Sequence, residues 1–412
     1  MKRILFVTRT NPIRVTAGNQ QRTDQSIKAL VSLGYKVQVM MLVGPNASKD
    51  KLQKAFLRKY PQCKLRLVQQ RSGRDLVALG KWRAGLRQYL LETLDRLTLR
   101  TWMITNEHEC PRALRVAIDK ELRSGRYAAY FSNYLKVTPL NGVRFAGPKL
   151  CDTHDVQSER IWNNLRRDEP SALMRRLKYQ VHRWSERRCL RNFDALLAIS
   201  SQDVERLASI GGAACPELVC APASFPDPGV DIHTHKDADI GFVGTSSRPN
   251  VDGLLWFMSE VLPVVLERHP DLRFRIIGKS GLDPAVVDAA AAFTGNIELK
   301  GLVDDLAAEY PKVKIWIAPM RFGTGMKIKV VEALSMKAAI VGTSLAFTGI
   351  DVADGTSAMV ADDAMEFADK IGRLLDHEAL RARMSAAAFD VFKAGHSFEA
   401  YRDTLSRVLS QA

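Results

Sequence analysis

The chain has 412 residues, 46% of them apolar and 25% charged, a globular composition that excludes disordered and fibrous classes and is long enough for two domains. Its net charge of +15 is unevenly divided: residues 1–200 carry 39 Lys/Arg and 16 Asp/Glu, whereas residues 201–412 carry 21 and 29. No run approaches the roughly 18 apolar residues of a membrane span, and the four-residue apolar run at positions 4–7 is too short for a signal-peptide core.

Residues 3–7 read as a strand, followed by a loop, a helix around Ile27, Leu30, Val31 and Leu33, a stop at Gly34 and a buried strand at 36–43. Residues 45–125 are Arg-rich and mostly helical in pattern. Strands are expected at 127–132 and 149–153, a long basic amphipathic helix at 170–191, and a strand at 195–199 with Ser200 capping the next helix. Pro216, Pro222, Pro226 and Pro228 give residues 211–237 a linker composition. A second alternation follows: strands at 239–243, 272–277, 296–300, 314–318, 338–341 and 358–360, with helices at 251–268, 284–293, 304–310, 326–335 and 364–375, and a closing helix near 398–409. Apolar strands alternating with helices predict parallel sheets covered on both faces. The expected organisation is a first domain at 1–212, a linker at 213–237, a second domain at 238–392 and a C-terminal helix at 393–412 that packs back on the first domain. Six cysteines are scattered, without C-x-x-C or metal-ligand spacing, and are expected to be reduced thiols in a cytosolic protein with no metal site.

Ligands of doubly wound sheets bind outside the carboxyl ends of strands, so strand-to-helix loops are where chemistry is expected. The segment 321–333 (RFGTGMKIKVVEA) follows a strand and opens a helix. Its glycines allow close backbone approach to an anion, and the free N–H groups of a helix start favour phosphate. Lys329 and Glu332 share one helix face, a cation for a phosphate oxygen beside a carboxylate for ribose hydroxyls; an ordinary turn with a surface Lys–Glu pair also fits. The loop 244–250 (GTSSRPN) carries Arg248, a fixed-charge fork suited to diphosphate, and Asn250, read as the N-cap of the following helix. The loop 8–19 ends in Gly18-Asn19 and is not a G-x-G-x-x-G fingerprint. At 151–156 (CDTHDV), His154 stands between two carboxylates at a strand end, either as a proton acceptor or hydrogen-bond donor or as a structural histidine.

These blocks, together with Arg275-Ile276-Ile277-Gly278, Gly301-Leu302-Val303-Asp304-Asp305 and Val360-Ala361-Asp362-Asp363, occur in an order and spacing that resembles the family 4 glycosyltransferases from residue 239 to about 375. The first half matches more loosely, in its opening strand, glycine loop and His154 segment. The resemblance implies the GT-B fold, an α/β architecture of two doubly wound Rossmann-like domains facing a central cleft. It implies a metal-independent, retaining hexosyltransferase that uses a nucleotide-diphosphate sugar, UDP- or GDP-linked, as co-substrate and needs no other cofactor. The donor would lie on the second half, held by Gly18, Asn19, Gly244, Arg248, Asn250, Gly278, Val303, Gly323, Thr324, Gly325, Lys329 and Glu332. Arg248 and Lys329 would stabilise the leaving diphosphate, and His154 would orient sugar or acceptor. Thr324 stands where the family's motif has its first Glu, so the sugar contact differs.

The basic first half has two readings. Trp82, Leu86, Tyr89, Leu90, Leu94 and Leu97 recur at helical spacing among arginines. This fits a helix packed on the sheet with a solvated basic face, or docking on an anionic membrane where lipid-linked acceptors reside. No zinc finger or RNA-recognition signature is present, and the acidic second half does not suit a phosphate-backbone binder, so nucleic acid is not an expected partner. A nucleotide-sugar epimerase of the same fold, or a catalytically idle partner subunit, are the competing readings. The expected setting is polysaccharide or lipid-linked glycoconjugate assembly, in the cytoplasm or peripherally at the inner face of its membrane.

Overall fold

The computed structural model describes residues 2–13, 18–70, 109–168, 171–229, 235–323 and 326–411, together with five positions between 82 and 90. The chain divides into two compact units, one of Met1–Pro222 with Arg402–Ala412 and one of Ala223–Tyr401.

Unit 1 is built from β1 (Arg3–Thr8), α1 (Gly18–Ser32), β2 (Lys36–Val43), α2 (Lys49–Lys59), β3 (Lys64–Gln69), α3 (Arg112–Leu122), β4 (Ala129–Asn133), β5 (Lys149–Asp152), α4 (Gln157–Asp168), α5 (Ala172–Leu190), β6 (Ala195–Ala198), α6 (Ser201–Gly211) and β7 (Glu217–Cys220). The sheet is parallel, in the order β3-β2-β1-β4-β5-β6-β7. The inner strands are apolar runs because helices cover both faces; Ile4, Leu5, Phe6 and Val7 have no exposed surface. The order reverses between β1 and β4, so the tips of those two strands, Thr8 and Asn133, form the crevice expected at a topological switch point.

Unit 2 repeats this plan with β8 (Ala238–Val243), α7 (Arg248–Trp256), α8 (Leu262–Arg268), β9 (Phe274–Ile277), α9 (Pro284–Ala290), β10 (Ile297–Gly301), β11 (Val313–Ala318), α10 (Ile328–Ser335), β12 (Ile340–Gly342), β13 (Met359–Val360), α11 (Ala364–Asp376) and α12 (Glu378–Gly395). Its parallel order is β10-β9-β8-β11-β12-β13, with the switch point between β8 and β11. The last helix, α13 (Phe398–Gln411), begins in unit 2 and continues into Arg402–Ala412 of unit 1.

Several expectations change. Residues 304–310 do not form a helix; turns lead to a single 3-10 turn at Tyr310–Lys312, where Pro311 lacks the N–H a longer helix would use. The helix expected at 251–268 begins at Arg248 and is interrupted by a π-helical turn, Phe257–Val261, just before Pro263. Strand β3 lies in the stretch read as helical, and β7 lies inside the Pro-rich stretch read as linker, where it pairs in parallel with β6. Ser200 does cap α6, accepting from the Asp203 N–H at 3.2 Å.

Candidate functional site

In unit 2 the loops at the carboxyl ends of β8, β9 and β11 converge. Asn250 is not the N-cap of α7. That position belongs to Ser247, and Pro249 occupies the first turn, where its missing N–H costs nothing. Asn250 is instead buried one residue further in. Its Nδ2 donates to the Thr245 carbonyl at 3.0 Å, which leaves Oδ1 to accept from Lys329 Nζ at 2.9 Å. The Lys329 ammonium also lies 4.3 Å from the centre of the Phe242 ring. Burial, with Lys327 nearby, brings the Lys329 pKa down to about 7.

Two glycines permit this convergence. Gly278 has φ +99°, and a Cβ there would lie 2.3 Å from the Gly244 carbonyl oxygen, so β9's loop can press on β8's only without a side chain. A Cβ on Gly253 would lie 2.1 Å from the Pro319 carbonyl oxygen; α7 thus packs directly on the backbone that leads into the 321–327 loop. Arg248, exposed at the start of α7, holds its guanidinium 5.8 Å over the Phe322 ring of that loop, next to Gly323. Lys327 Nζ donates to the Gly323 carbonyl at 3.3 Å. Thr324 and Gly325 lie outside the described residues.

On α10, Glu332 is hydrogen-bonded to Tyr310, a residue sequence reasoning did not select. Burial raises the pKa of the Glu332 carboxyl and the Tyr310 hydrogen bond opposes the rise. Tyr310 packs at 4.4 Å on Trp316 of β11. Val303 is half-buried against the same apolar cluster. Gly244, Arg248, Asn250, Gly278, Val303, Gly323, Lys329 and Glu332 are thus all carried by the loops and helix starts at this end of the sheet. The arrangement offers two cations, backbone amides at a helix start and a carboxylate, a set suited to a phosphorylated ligand with hydroxyl groups.

In unit 1 the switch point carries a chain of polar groups. Asn133 Oδ1 accepts from Thr8 Oγ1 at 2.9 Å and Thr23 Oγ1 at 3.0 Å, and its Nδ2 faces His154 Nε2 at 2.7 Å. An amide donating to Nε2 leaves the proton of neutral imidazole on Nδ1. The His154 ring stacks on Tyr134 at 3.9 Å, and Tyr134 is hydrogen-bonded to Asn19. Asn19, beside Gly18 at the start of α1, is thereby joined to the His154 site. His154 and Tyr134 both have positive φ, 60° and 86°. Such backbone strain in non-glycine residues persists where surrounding contacts hold it.

Of the two carboxylates flanking His154 in sequence, Asp152 is the one near the ring, with Oδ2 3.5 Å from Nε2. Asp152 is fully buried and chelated by Arg22, whose Nε lies 2.8 Å from both carboxylate oxygens; Arg22 Nη1 donates to the Ala221 carbonyl at 2.7 Å. Burial pulls His154 down to about 4, with Asp152 opposing and Arg22 and Lys136 reinforcing the shift. His154 is therefore uncharged near neutral pH. Among the described residues no group of three or more His, Cys, Asp or Glu side chains is placed to hold a metal ion.

Burial also brings His182 down to about 4. The unfolded chain binds protons at these histidines below about 6.5, whereas the folded chain does so only near 4, so stability falls as pH drops through that window. Thermal midpoints measured across this range should decline toward acid, and less steeply in His154→Asn. An identical slope in the variant would remove His154 from the acid response.

Residues 237–377, about a third of the chain, match the family described as Glycosyl transferases group 1. An uncharacterized 44.6 kDa protein in the cps region of Klebsiella pneumoniae is 24% identical over 276 residues, covering 65% of this chain and 69% of that protein. Sucrose-phosphate synthase from Thermosynechococcus elongatus superposes with TM-score 0.60 at 13% identity, covering 100% of this chain and 99% of that one. Anabaena HepE in complex with UDP and glucose superposes with TM-score 0.60 at 11% identity, covering 100% of both chains. The fold is GT-B, and the family match and the fold together support a glycosyltransferase, its group 1 segment lying in unit 2.

Proposed function

We propose that this chain is a metal-independent, retaining glycosyltransferase. It moves a hexose from a UDP- or GDP-sugar to a glycan or lipid-linked acceptor in polysaccharide or glycoconjugate assembly. The observation that carries this reading is the cluster in unit 2, where Arg248, Lys329, the Gly323 loop and Glu332 gather at the carboxyl ends of the strands. The UDP and glucose bound by HepE support a nucleotide-sugar donor, and the cps region of the K. pneumoniae relative supports the setting.

In this reading Lys329 leaves Asn250 for a phosphate oxygen, Arg248 takes another, and Glu332 accepts from ribose hydroxyls while Tyr310 holds its carboxylate in place. The bond between anomeric carbon and phosphate oxygen breaks as the acceptor oxygen attacks the same face. The acceptor's proton passes to the departing phosphate oxygen, so no strong protein base is required. Negative charge that grows on the diphosphate meets fixed cations and amides, which is where such groups act most strongly. In unit 1, neutral His154 orients sugar or acceptor through its Nδ1–H.

Thermal shift with UDP-, GDP-, ADP- and TDP-sugars, followed by transfer assays with those that stabilise, tests the function. Stabilisation by one nucleotide class and transfer to an added acceptor are expected. Isomerisation of the free donor would instead favour an epimerase, and no response to any sugar nucleotide would defeat the donor assignment. Glu332→Ala is expected to lower transfer at least tenfold, by roughly the 1.4 kcal/mol or more that a hydrogen bond to a charged group contributes. Unchanged turnover would exclude the ribose role.

A further inference from the structure

Helix α5 is built the wrong way round for a helix of a soluble domain. Its buried residues are mostly polar: His182, Ser185, Glu186, Cys189 and Leu190. The reason is visible at Glu186, whose carboxylate accepts from the Gln157 N–H at 2.8 Å and the Ser158 N–H at 2.9 Å and so completes the start of α4. The opposite face is apolar. Leu173, Leu177, Val181 and Trp184 follow one another at intervals of four, four and three residues, with Met174 beside them, and they are 37–68% exposed. Over roughly 16 Å, at about 1.5 Å per residue, this forms one continuous stripe. A surface helix ordinarily turns such a stripe inward, and single exposed apolar residues need no explanation, but a contiguous row marks something that covers it.

Charge decides among the covers. The helix carries six Arg/Lys and one acid, and that acid is the buried Glu186. The exposed Arg176 and Arg187 flank the stripe, and Arg188 sits 5.6 Å over the Trp184 ring at its end. A second copy of the chain would bring like charges together, which disfavours self-association. A surface that is negative outside and apolar within satisfies both features. The stripe enters the boundary between headgroups and acyl chains, the cations remain at the phosphates, and Trp184 takes the interfacial position such rings prefer.

We propose that the outward face of α5 docks this chain on an anionic lipid surface. Trp82, Leu86, Tyr89 and Leu90, also in unit 1, are 41–68% exposed as well, which a helix packed on the sheet would not leave. The proposal rests on the lipid-linked alternative for the acceptor in the function proposed above, but its test does not use catalysis.

The test is co-sedimentation of the full chain with vesicles of phosphatidylcholine alone and of equal parts phosphatidylcholine and phosphatidylglycerol. Binding to the mixed vesicles alone is expected, weakening as salt is raised. Leu177→Glu with Trp184→Glu should lower vesicle affinity at least tenfold, and Arg176→Gln with Arg187→Gln roughly thirtyfold, by loss of two cations near the surface. All four positions are exposed, and unchanged thermal midpoints and unchanged stabilisation by UDP would show that the variants fold. Equal binding to both vesicles, no binding, or full binding by the variants would each overturn the proposal. So would a wild-type dimer that Leu177→Glu dissociates in the absence of lipid, which assigns the face to a second copy. Lys329→Ala is expected to keep vesicle binding, so failure of the donor reading and failure of docking are separate results.

Discussion

Replacing Lys329 with alanine is expected to lower kcat/KM for sugar transfer roughly a hundredfold to a thousandfold, the range seen when a preorganised donor to developing negative charge is removed. The structure explains why so much depends on one ammonium. Lys329 rests between the Asn250 side-chain oxygen Oδ1 and the Phe242 ring, in surroundings that bring its pKa down to about 7. A dianionic diphosphate stabilises the charged form, so binding above about pH 7 should draw a proton onto Lys329. Nucleotide affinity should therefore weaken as pH rises from about 7 toward the ordinary lysine range near 10.5. Calorimetry of UDP or GDP binding in buffers of different ionisation heat reads that proton directly. Proton uptake present in the wild type and absent in Lys329→Ala is the expected pair of results. A variant that transfers sugar at the wild-type rate would exclude Lys329 from the donor site.

The second large effect is on stability. Arg22→Ala should destabilise the chain by about 3–5 kcal/mol, because it strands the fully buried Asp152 carboxylate without its partner. For a unit of this size the first thermal transition should fall by roughly 6–20 °C. Arg22→Lys should recover only part, since one ammonium cannot span both oxygens of Asp152 and the Ala221 carbonyl. His154 supplies a second readout. Arg22 holds its pKa down while Asp152 pushes it up, so loss of Arg22 should move the His154 titration upward from about 4. A transition shifted by less than about 2 °C, with His154 titrating as before, would mean that Asp152 finds other compensation.

The parallel sheets were legible because strands covered on both faces carry continuous apolar runs, as residues 4–7 of β1 and 315–318 of β11 do. Strand β3 was not, because KLRLVQ at the sheet edge is charged and only Val68 is buried. The convergence of the 244–250 and 321–333 segments at the carboxyl ends of the strands, where a donor is proposed to bind, could be read from glycine, cation and carboxylate spacing within single segments. Asn133, Arg22 and Tyr310 could not. Asn133 meets Thr8 across 125 residues only because β4 pairs with β1, and Arg22 meets Asp152 across 130. No local pattern announces a polar side chain whose partner is supplied by strand order. The inverted helix α5 was legible as amphipathic, but not which face would be outward; that follows from Glu186 being claimed by the start of α4.

Gly253 carries a further consequence. The charges proposed for the donor sit on α7, as Arg248, and on α10, as Lys329 and Glu332; at Gly253 α7 touches through bare backbone the segment that leads into the 321–327 loop and so to α10, at a point where a side chain would overlap the Pro319 carbonyl. Bulk at position 253 separates these elements without removing a charge or a hydrogen-bonding group. It is thus a steric dial on the spacing of the proposed phosphate ligands, by which tolerance for different donors would drift while every polar residue of the site stays the same.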